Sequence, residues 1–408
     1  MNELACGIDI GCDKHSVTVI GSEGSAIFSK ELVHDLSAIR DFIDELKDIK
    51  VKHNMEIIIG MEGAMGYASP LDKMLLVEGF EVIQINSYAM DKYRKLVGQP
   101  KKNDKYCSKL IASFVKARKE FAVGNETSWH KIVMPSKEKQ RLRILCRLHK
   151  QITKDITRES NRMIGLIHGY FPSFLSLYED IKSKGSLSLL KNYADVEKAK
   201  RASVKTIAKM KLDGSRYHLG EKKAEEFKKL VSVVDFYDEV SKEISYAVSC
   251  HAERIIESQE KETELAEKII NLSASIEEVA VVKKNIKGAG DILAARLVSE
   301  IGEINKFESS DKLAVYCGVA CLDNSSGKRE FQKKVIASNR QAKDSIMRMA
   351  FASLRTNDLS RAYYNKKRKE GKGHYHTLKC LSKHMLRYIF KILNEFENEK
   401  LNCRKLAA

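Results

Sequence analysis

Three observations predict an α/β domain of RNase H-like order followed by a mostly α-helical remainder. Three β-type runs follow one another directly near the N-terminus, the next runs are separated by helical segments, and the 236 residues after Pro172 contain no proline. The opening runs are "ACGIDI", "SVTVIG" and "SAIFSK", divided by the turn-like "GCDKH" and "SEGS". A helix is predicted in "DLSAIRDFIDELKDIK", with Asp35 as N-cap and apolar residues at 36, 39, 43 and 46 on one stripe. The strand "MEIIIGM", a helix in "SPLDKMLLVEGF" with Pro70 near its first turn, the strand "EVIQIN" and a helix in "KKNDKYCSKLIASF" complete a first domain, residues 1–125. A generic doubly wound sheet is the alternative, but it would not begin with a meander of hairpins.

Residues 126–275 read as a helical assembly domain. Phe227, Leu230, Val234, Tyr237, Ile244, Val248, Ile255, Leu265, Ile269 and Leu272 follow an alternating 3,4 spacing, the seam of a long coiled coil. A single helix over 222–273 would be on the order of 75 Å long. "RLRILCRLHKQITKDITRESNRMIGLI" supplies a second amphipathic helix as a partner, and His251 reads as a tolerated polar seam position. Residues 276–408 change to shorter helices. "NIKGAGDILAARLVSEIG" has the form of a helix-hairpin-helix, in which Gly288 and Gly290, with Lys287 beside them, would let backbone N–H groups approach a phosphate at a helix N-terminus.

Charge adds a functional direction. The chain carries a net +17, and from Val281 onward there are 27 Lys and Arg against 13 Asp and Glu. A whole basic domain suits a phosphate backbone, whose binding is driven by counterion release. The N-terminus lacks a basic segment leading into an apolar one, and no uncharged apolar run reaches membrane-spanning length, so a cytoplasmic protein without a membrane is expected. Nine scattered cysteines argue for a reducing compartment, and Cys317 and Cys321 have no second pair at zinc spacing.

Three acids invite a common explanation. Asp9 lies within an apolar strand, where an acid is costly to bury unless it pairs or binds a cation. Glu62 ends the fourth strand, which neighbours the first in an RNase H-like sheet, and Asp104 opens a later helix. Together they would hold Mg²⁺ for phosphodiester chemistry; separately they are a cap and two strand-end acids.

The chain resembles the DEDD transposases of bacterial insertion sequences, the one-ten family of bridge-RNA-guided recombinases. The resemblance rests on "GIDIGCDKH", "GMEGAMGYASPLDKMLLVEGFEVIQIN", "KLVGQPKKNDKYCSKLIA" and "NIKGAGDILAARLVSEIGEINKFESSDKLAVYCGVACLDNSSGK", and runs nearly the full length. It implies a RuvC-like N-terminal domain in which Asp9, Glu62 and Asp104 are catalytic metal ligands for Mg²⁺, with Mn²⁺ as the alternative ion. It implies a serine nucleophile in the transposase domain, which falls on Ser326 in "LDNSSGKRE", with Ser325 adjacent and Lys328 and Arg329 as phosphate-binding cations in a polar loop. The implied partners are donor and target DNA, a bridge RNA, and further copies of the chain, as a dimer or tetramer through the coiled coil, with acids from one subunit and serine from another. A DNA invertase of the same lineage and a copy that only binds nucleic acid are the rival functions.

The sequence departs from the family pattern at two positions. Cys107 stands where the fourth acid belongs, three residues after Asp104 and so on the same helix side. Thiol sulfur is a soft and poor substitute for carboxylate toward Mg²⁺. Ser338 stands for a glycine in "VIASNRQAKDSI".

Overall fold

The computed structural model describes residues 3–63, 68–98, 104–118, 129–326, 329–334 and 338–407, with backbone only for 104–105, 321–326, 329–334 and 404–407. These residues form two compact units, Met1–Met134 and Pro135–Ala408.

The first unit is built on a six-stranded sheet. Its elements are β1 (Glu3–Ile10), β2 (Lys14–Ile20), β3 (Ala26–Val33), α1 (Leu36–His53), β4 (Glu56–Glu62), α2 (Leu71–Val77), β5 (Glu81–Ile85), α3 (Ser87–Leu96), α4 (Asp104–Ala117) and β6 (Trp129–Lys131). The strand order is β3-β2-β1-β4-β5-β6. The first three strands form an antiparallel meander, β4 joins β1 in parallel and β5 joins β4 in parallel. This is the RNase H-like order expected, and Asp35 caps α1 by accepting from the amides of Ser37 and Ala38. Two elements were not foreseen: α3, and β6, which pairs antiparallel with β5 beyond residue 125.

Each face of the sheet has its own core. Ile39, Phe42, Ile43 and Leu46 of α1 pack with Cys6, Ile8, Ile57 and Ile59 on one face. On the other, Ile111, Ala112, Phe114 and Val115 of α4 pack with Ala5, Ile58, Ile83 and Ile85. Two glycines set how closely α4 lies. A Cβ on Gly7 would stand 2.1 Å from the Ser108 carbonyl oxygen and 2.3 Å from the Ala112 nitrogen, both α4 backbone. A Cβ on Gly60 would stand 2.2 Å from Val115 Cγ2. A buried bond between the hydroxyls of Thr18 and Ser108, 2.8 Å long, pins the same helix to β2. Gly7→Ala is therefore expected to destabilise the unit by about 3 kcal/mol or more, at the upper end for overpacking because helix backbone must move. Gly60→Ala, which meets a side chain, should cost less. Thermal unfolding of the two variants checks the ranking, and equal costs would refute it.

Among the described residues the second unit is helical apart from one hairpin and a bridge between Lys211 and His218. It contains α5 (Lys137–Tyr170), α6 (Lys184–Tyr193), α7 (Val196–Arg201), α8 (Val204–Ala208), α9 (Glu221–Ser232), α10 (Glu239–Ser273), α11 (Glu277–Asn285), α12 (Asp291–Ile301), α13 (Ser310–Tyr316), β7 (Cys321–Ser326), β8 (Arg329–Lys334), α14 (Arg340–Thr356), α15 (Asp358–Lys369) and α16 (His374–Ala407). Its axis is an antiparallel pair, α5 against α10, tied by Thr153 to Glu262 at 2.5 Å and by His251 Nδ1 to Glu159 at 2.6 Å. One end of this pair, with Leu142, Cys146 and Ile269, enters a core with α11 to α14 and α16. The other end, with Ile156, Met163, Val248 and Ile255, enters a core with α6 to α9.

The expected single helix over 222–273 is two helices. Asp238 accepts from the Ser241 amide and restarts the chain as α10, because a capping carboxylate competes with helix continuation. The 3,4 spacing survives the break, which is why the sequence reads as one seam. The expected seam residues Phe227, Val248 and Ile255 are fully buried inside the chain, packed with α5 and the 171–174 turn. The stripe therefore serves an intrachain helix pair, with the amphipathic segment named above as its partner. His251 is a structural contact to Glu159 in that pair.

Candidate functional site

Asp9 and Glu62 are brought together by the parallel pairing of β1 and β4. Their ladder ends at Ile8 opposite Met61, and the next step along each strand is Asp9 and Glu62. The strand pleat places both on the face of Gly7 and Gly60, the face that α4 covers. Both are half-buried.

The third element is α4. It begins at Asp104, and one turn later Cys107, 7 % exposed, brings its thiol into contact with the Asp9 carboxylate. Burial pushes the Cys107 thiol up, and the Asp9 charge pushes it the same way; Arg94 on α3, whose Nη2 lies 3.9 Å from the sulfur, opposes both. The position where the family resemblance implies a fourth acid thus faces Asp9, and a thiol beside an arginine occupies it. Asp104 lies on the helix turn that leads into this site, and its side chain is outside the described residues.

A hard divalent cation calls for oxygen ligands. Two carboxylates on adjacent strands and a helix opening with a third acid match oxygen ligation. Sulfur at 107 does not, and Arg94 brings a positive charge next to where a cation would sit. Asp9 and Glu62 fit such an ion; Cys107 does not.

In the second unit Ser326 is the last residue of β7, its backbone paired with Arg329, while Ser325 pairs with Glu330. The polar loop expected around the serine is thus a hairpin strand end, and Lys328 lies outside the described residues. The foot of this hairpin is built by residues that the sequence did not single out. The Asn339 amide donates to the Tyr316 carbonyl at 2.7 Å, tying together the two ends of the segment that carries the hairpin. The Asn339 side chain caps α14, accepting from Gln341 and Ala342, and donates to Glu300 at 2.8 Å and to the Tyr316 hydroxyl at 2.9 Å. Glu300, fully buried, takes both prongs of Arg147 on α5, at 2.6 and 2.8 Å. Burial pushes the Glu300 carboxyl up, but the hydrogen bonds from Arg147 and Asn339 outweigh it and hold the group below the usual range. Beside them, Lys306 Nζ lies 4.9 Å from the ring centroids of both Phe307 and Tyr316, and burial followed by Arg143 pushes it down to about 8.

Ser338 belongs to the same foot. Its Oγ lies 2.5 Å from where a Cβ on Gly318 would stand, and Gly318 has φ +66°. Residue 338 therefore packs against a glycine, a contact that a glycine at 338 would lack.

The helix-hairpin-helix positions divide. Gly288, at φ +92°, is pressed against α14, where a Cβ would meet the Met349 carbonyl and the Ser353 nitrogen at 2.7 Å each. Its glycine is explained by close helix packing. Gly290 and Lys287 are exposed, but the first turn of α12 already carries Asp291, paired with Lys283, which disfavours an anion there.

One acidic cluster in this unit was also unforeseen. Among the described residues, carboxylate oxygens of Glu278, Glu303 and Glu397 lie within 4.8 Å of one another. The buried Lys139 ammonium sits among them, 2.8 Å from Glu278 and 2.9 Å from Glu303. It offsets part of the cluster's charge and makes it an ion-pair knot joining α5, α11 and α16.

Comparison with known proteins supplies the family. A DEDD-type transposase profile of the IS110 kind matches residues 6–172, and a profile of the transposase IS116/IS110/IS902 family matches residues 283–365. The chain is 22 % identical over 411 residues to an insertion element IS116 protein of 44.8 kDa from Streptomyces clavuligerus, spanning 95 % of this chain and 94 % of that one. It is 22 % identical over 403 residues to an insertion element IS110 protein of 43.6 kDa from Streptomyces coelicolor, spanning 95 % and 93 %. A solved T. thermophilus RuvC, in complex with Holliday junction substrate, covers 30 % of this chain and 97 % of its own with a TM-score of 0.23 and 11 % identity, too slight a likeness to build on. The fold and the profile matches define a DNA transposase. The chain belongs to the IS110 family of DEDD transposases.

Proposed function

We propose that this transposase cleaves and exchanges DNA strands for its insertion element through a divalent-cation site at Asp9, Glu62 and Asp104 and a nucleophile at Ser326, with target and donor chosen by a bridge RNA. The observation that carries the metal part is the placement of Asp9 beside Glu62 under α4, with position 107 against Asp9. Mg²⁺ or Mn²⁺ bound there would offset charge on a phosphodiester oxygen. The serine part and the RNA guidance rest on the family resemblance of the "LDNSSGKRE" region, and the arrangement at the hairpin foot is consistent with it.

In this reading the first unit holds the carboxylates, α5 and α10 form a stiff intrachain strut, and the basic C-terminal third holds DNA. The Ser326 hydroxyl loses its proton and attacks the scissile phosphorus. The new Oγ–P bond replaces one P–O bond to deoxyribose, and the displaced oxygen takes up a proton. The phosphodiester count is conserved, so rejoining needs no external energy source.

A second reading is favoured by one observation. Cys107 and Arg94 together leave the acid site one hard ligand short and one positive charge richer, as in a catalytically impaired copy that binds nucleic acid only. Cys107→Asp separates the two readings. Recombination of DNA carrying the element's own flanks is expected to be low in Mg²⁺, higher in Mn²⁺, and raised in Mg²⁺ by about tenfold or more in Cys107→Asp, the scale of a tuned metal shell. Chelation by EDTA should stop all of it. Full wild-type activity in Mg²⁺ with no gain in the variant would show that the fourth carboxylate is dispensable, and activity unaffected by EDTA would refute the metal site.

A further inference from the structure

An exposed cluster of aromatic rings and cations runs along α14 from the foot of the hairpin. At its near end the Lys343 stem lies against Gly318, with Cδ 3.4 Å from where a Cβ would stand, and Lys343 Nζ lies 5.9 Å from the Tyr375 ring. Two helical turns further, about 12 Å along the axis, Phe351 packs edge-on to His374 at 6.2 Å with Arg355 at 6.0 Å over its ring. Tyr364 on α15 fixes His374 from the other side, its hydroxyl 2.6 Å from Nδ1. Phe351 is 48 % exposed and Tyr375 60 %.

We infer that this cluster is a binding surface for an unpaired DNA strand, a role that rests on the transposase reading and adds a place for the strand that cleavage frees. Exposed rings grouped with cations offer a partner both apolar faces and charge. These rings are held by one another and by cations rather than by the core, so their faces stay presented. Neither Lys343 nor Arg355 has a carboxylate partner within 4.0 Å among the described residues. Free cations beside open rings match phosphates alternating with bases, the pattern by which single strands are held through stacking and charge. Duplex DNA would offer the phosphates but hide its base faces. The surface begins at the foot of the hairpin that carries Ser326 at its turn end, so a strand stacked on Tyr375 and Phe351 would meet that hairpin at its base.

The test measures binding, not recombination, so it stands apart from the catalytic proposal. Fluorescence anisotropy with the full-length protein compares a labelled 20-nucleotide oligo-dT, the same length of oligo-U and a duplex. Phe351→Ala and Tyr375→Ala are expected to weaken oligo-dT binding by 10-fold or more each, on the scale of one lost base stack, with duplex affinity changed by less than about 3-fold and circular dichroism unchanged. Lys343→Gln and Arg355→Gln should each lower the salt dependence of oligo-dT binding by about one phosphate contact. Equal losses for duplex and single strand, or no loss in either aromatic variant, would overturn the inference. Losses confined to oligo-U would also overturn it, assigning the surface to RNA.

Discussion

Asp9→Asn is expected to lower strand cleavage by at least about a hundredfold without unfolding the protein. Even outer-shell partners of a bound metal are worth 10–100-fold, and the proposed mechanism makes Asp9 a direct ligand. Asparagine is isosteric and keeps an oxygen, so the sheet and its contact with Cys107 should persist; what is lost is the charge. Glu62→Gln should behave alike, because the register that sets Asp9 one step beyond Ile8 sets Glu62 one step beyond Met61. Cleavage assays on flanking DNA, with thermal unfolding as the control, decide the point. Cleavage within threefold of wild type in either variant would remove these residues from the chemistry.

Glu300→Ala is expected to cost about 2–3 kcal/mol, the scale for charge-assisted hydrogen bonds lost at a buried acceptor, since the half-exposed Arg147 can still turn to water. The variant would leave the Arg147 guanidinium and the Asn339 amide without their shared acceptor and would loosen the foot of the hairpin. Glu300→Gln keeps an oxygen for Arg147 and should cost less. The pH dependence has a definite sign. The Glu300 carboxyl is held below its ordinary range in the folded chain, so its stabilisation is complete above the ordinary glutamate pKa and is lost as pH falls through the depressed value. Urea unfolding of wild type and variant at neutral and acid pH should therefore converge on acidification. A neutral-pH cost under 1 kcal/mol would show that the network carries little.

Much of the first unit was legible because its signals are local. The apolar run ending in Glu62, the meander of β-type runs and the cap at Asp35 each act through neighbours in sequence, and the sheet assembled as they imply. The closeness of α4 was not legible, since nothing in "CGIDIG" shows that Gly7 faces a helix backbone 100 residues later. The second unit shows the opposite failure. Hydrophobic spacing through Val234 and Tyr237 continued across a capping aspartate, and periodicity cannot say whether a stripe meets another subunit or α5 of its own chain. Gly288 misled for a related reason: a glycine in a turn reads the same whether it admits a phosphate or, as here, another helix. Arg147, Glu300, Tyr316 and Asn339 gave no sequence signal at all, because they come from four separate elements and meet only in the fold. Of the candidate site, the pairing of Asp9 with Glu62 followed from strand order, whereas the contact of Cys107 and Arg94 with that site required the coordinates.

The most direct test of the account is whether a covalent protein–DNA link forms at Ser326. A nicked DNA substrate built from the element's flanks, which traps a cleaved strand by losing its short leaving fragment, would be incubated with the protein in Mn²⁺ and the adduct digested for peptide mass spectrometry. The account predicts a nucleotide-bearing phosphoserine at Ser326, absent in Ser326→Ala, while that variant still binds the DNA. Cleavage with no covalent adduct, or an adduct mapped to Ser325 or any other residue and retained in Ser326→Ala, would contradict it.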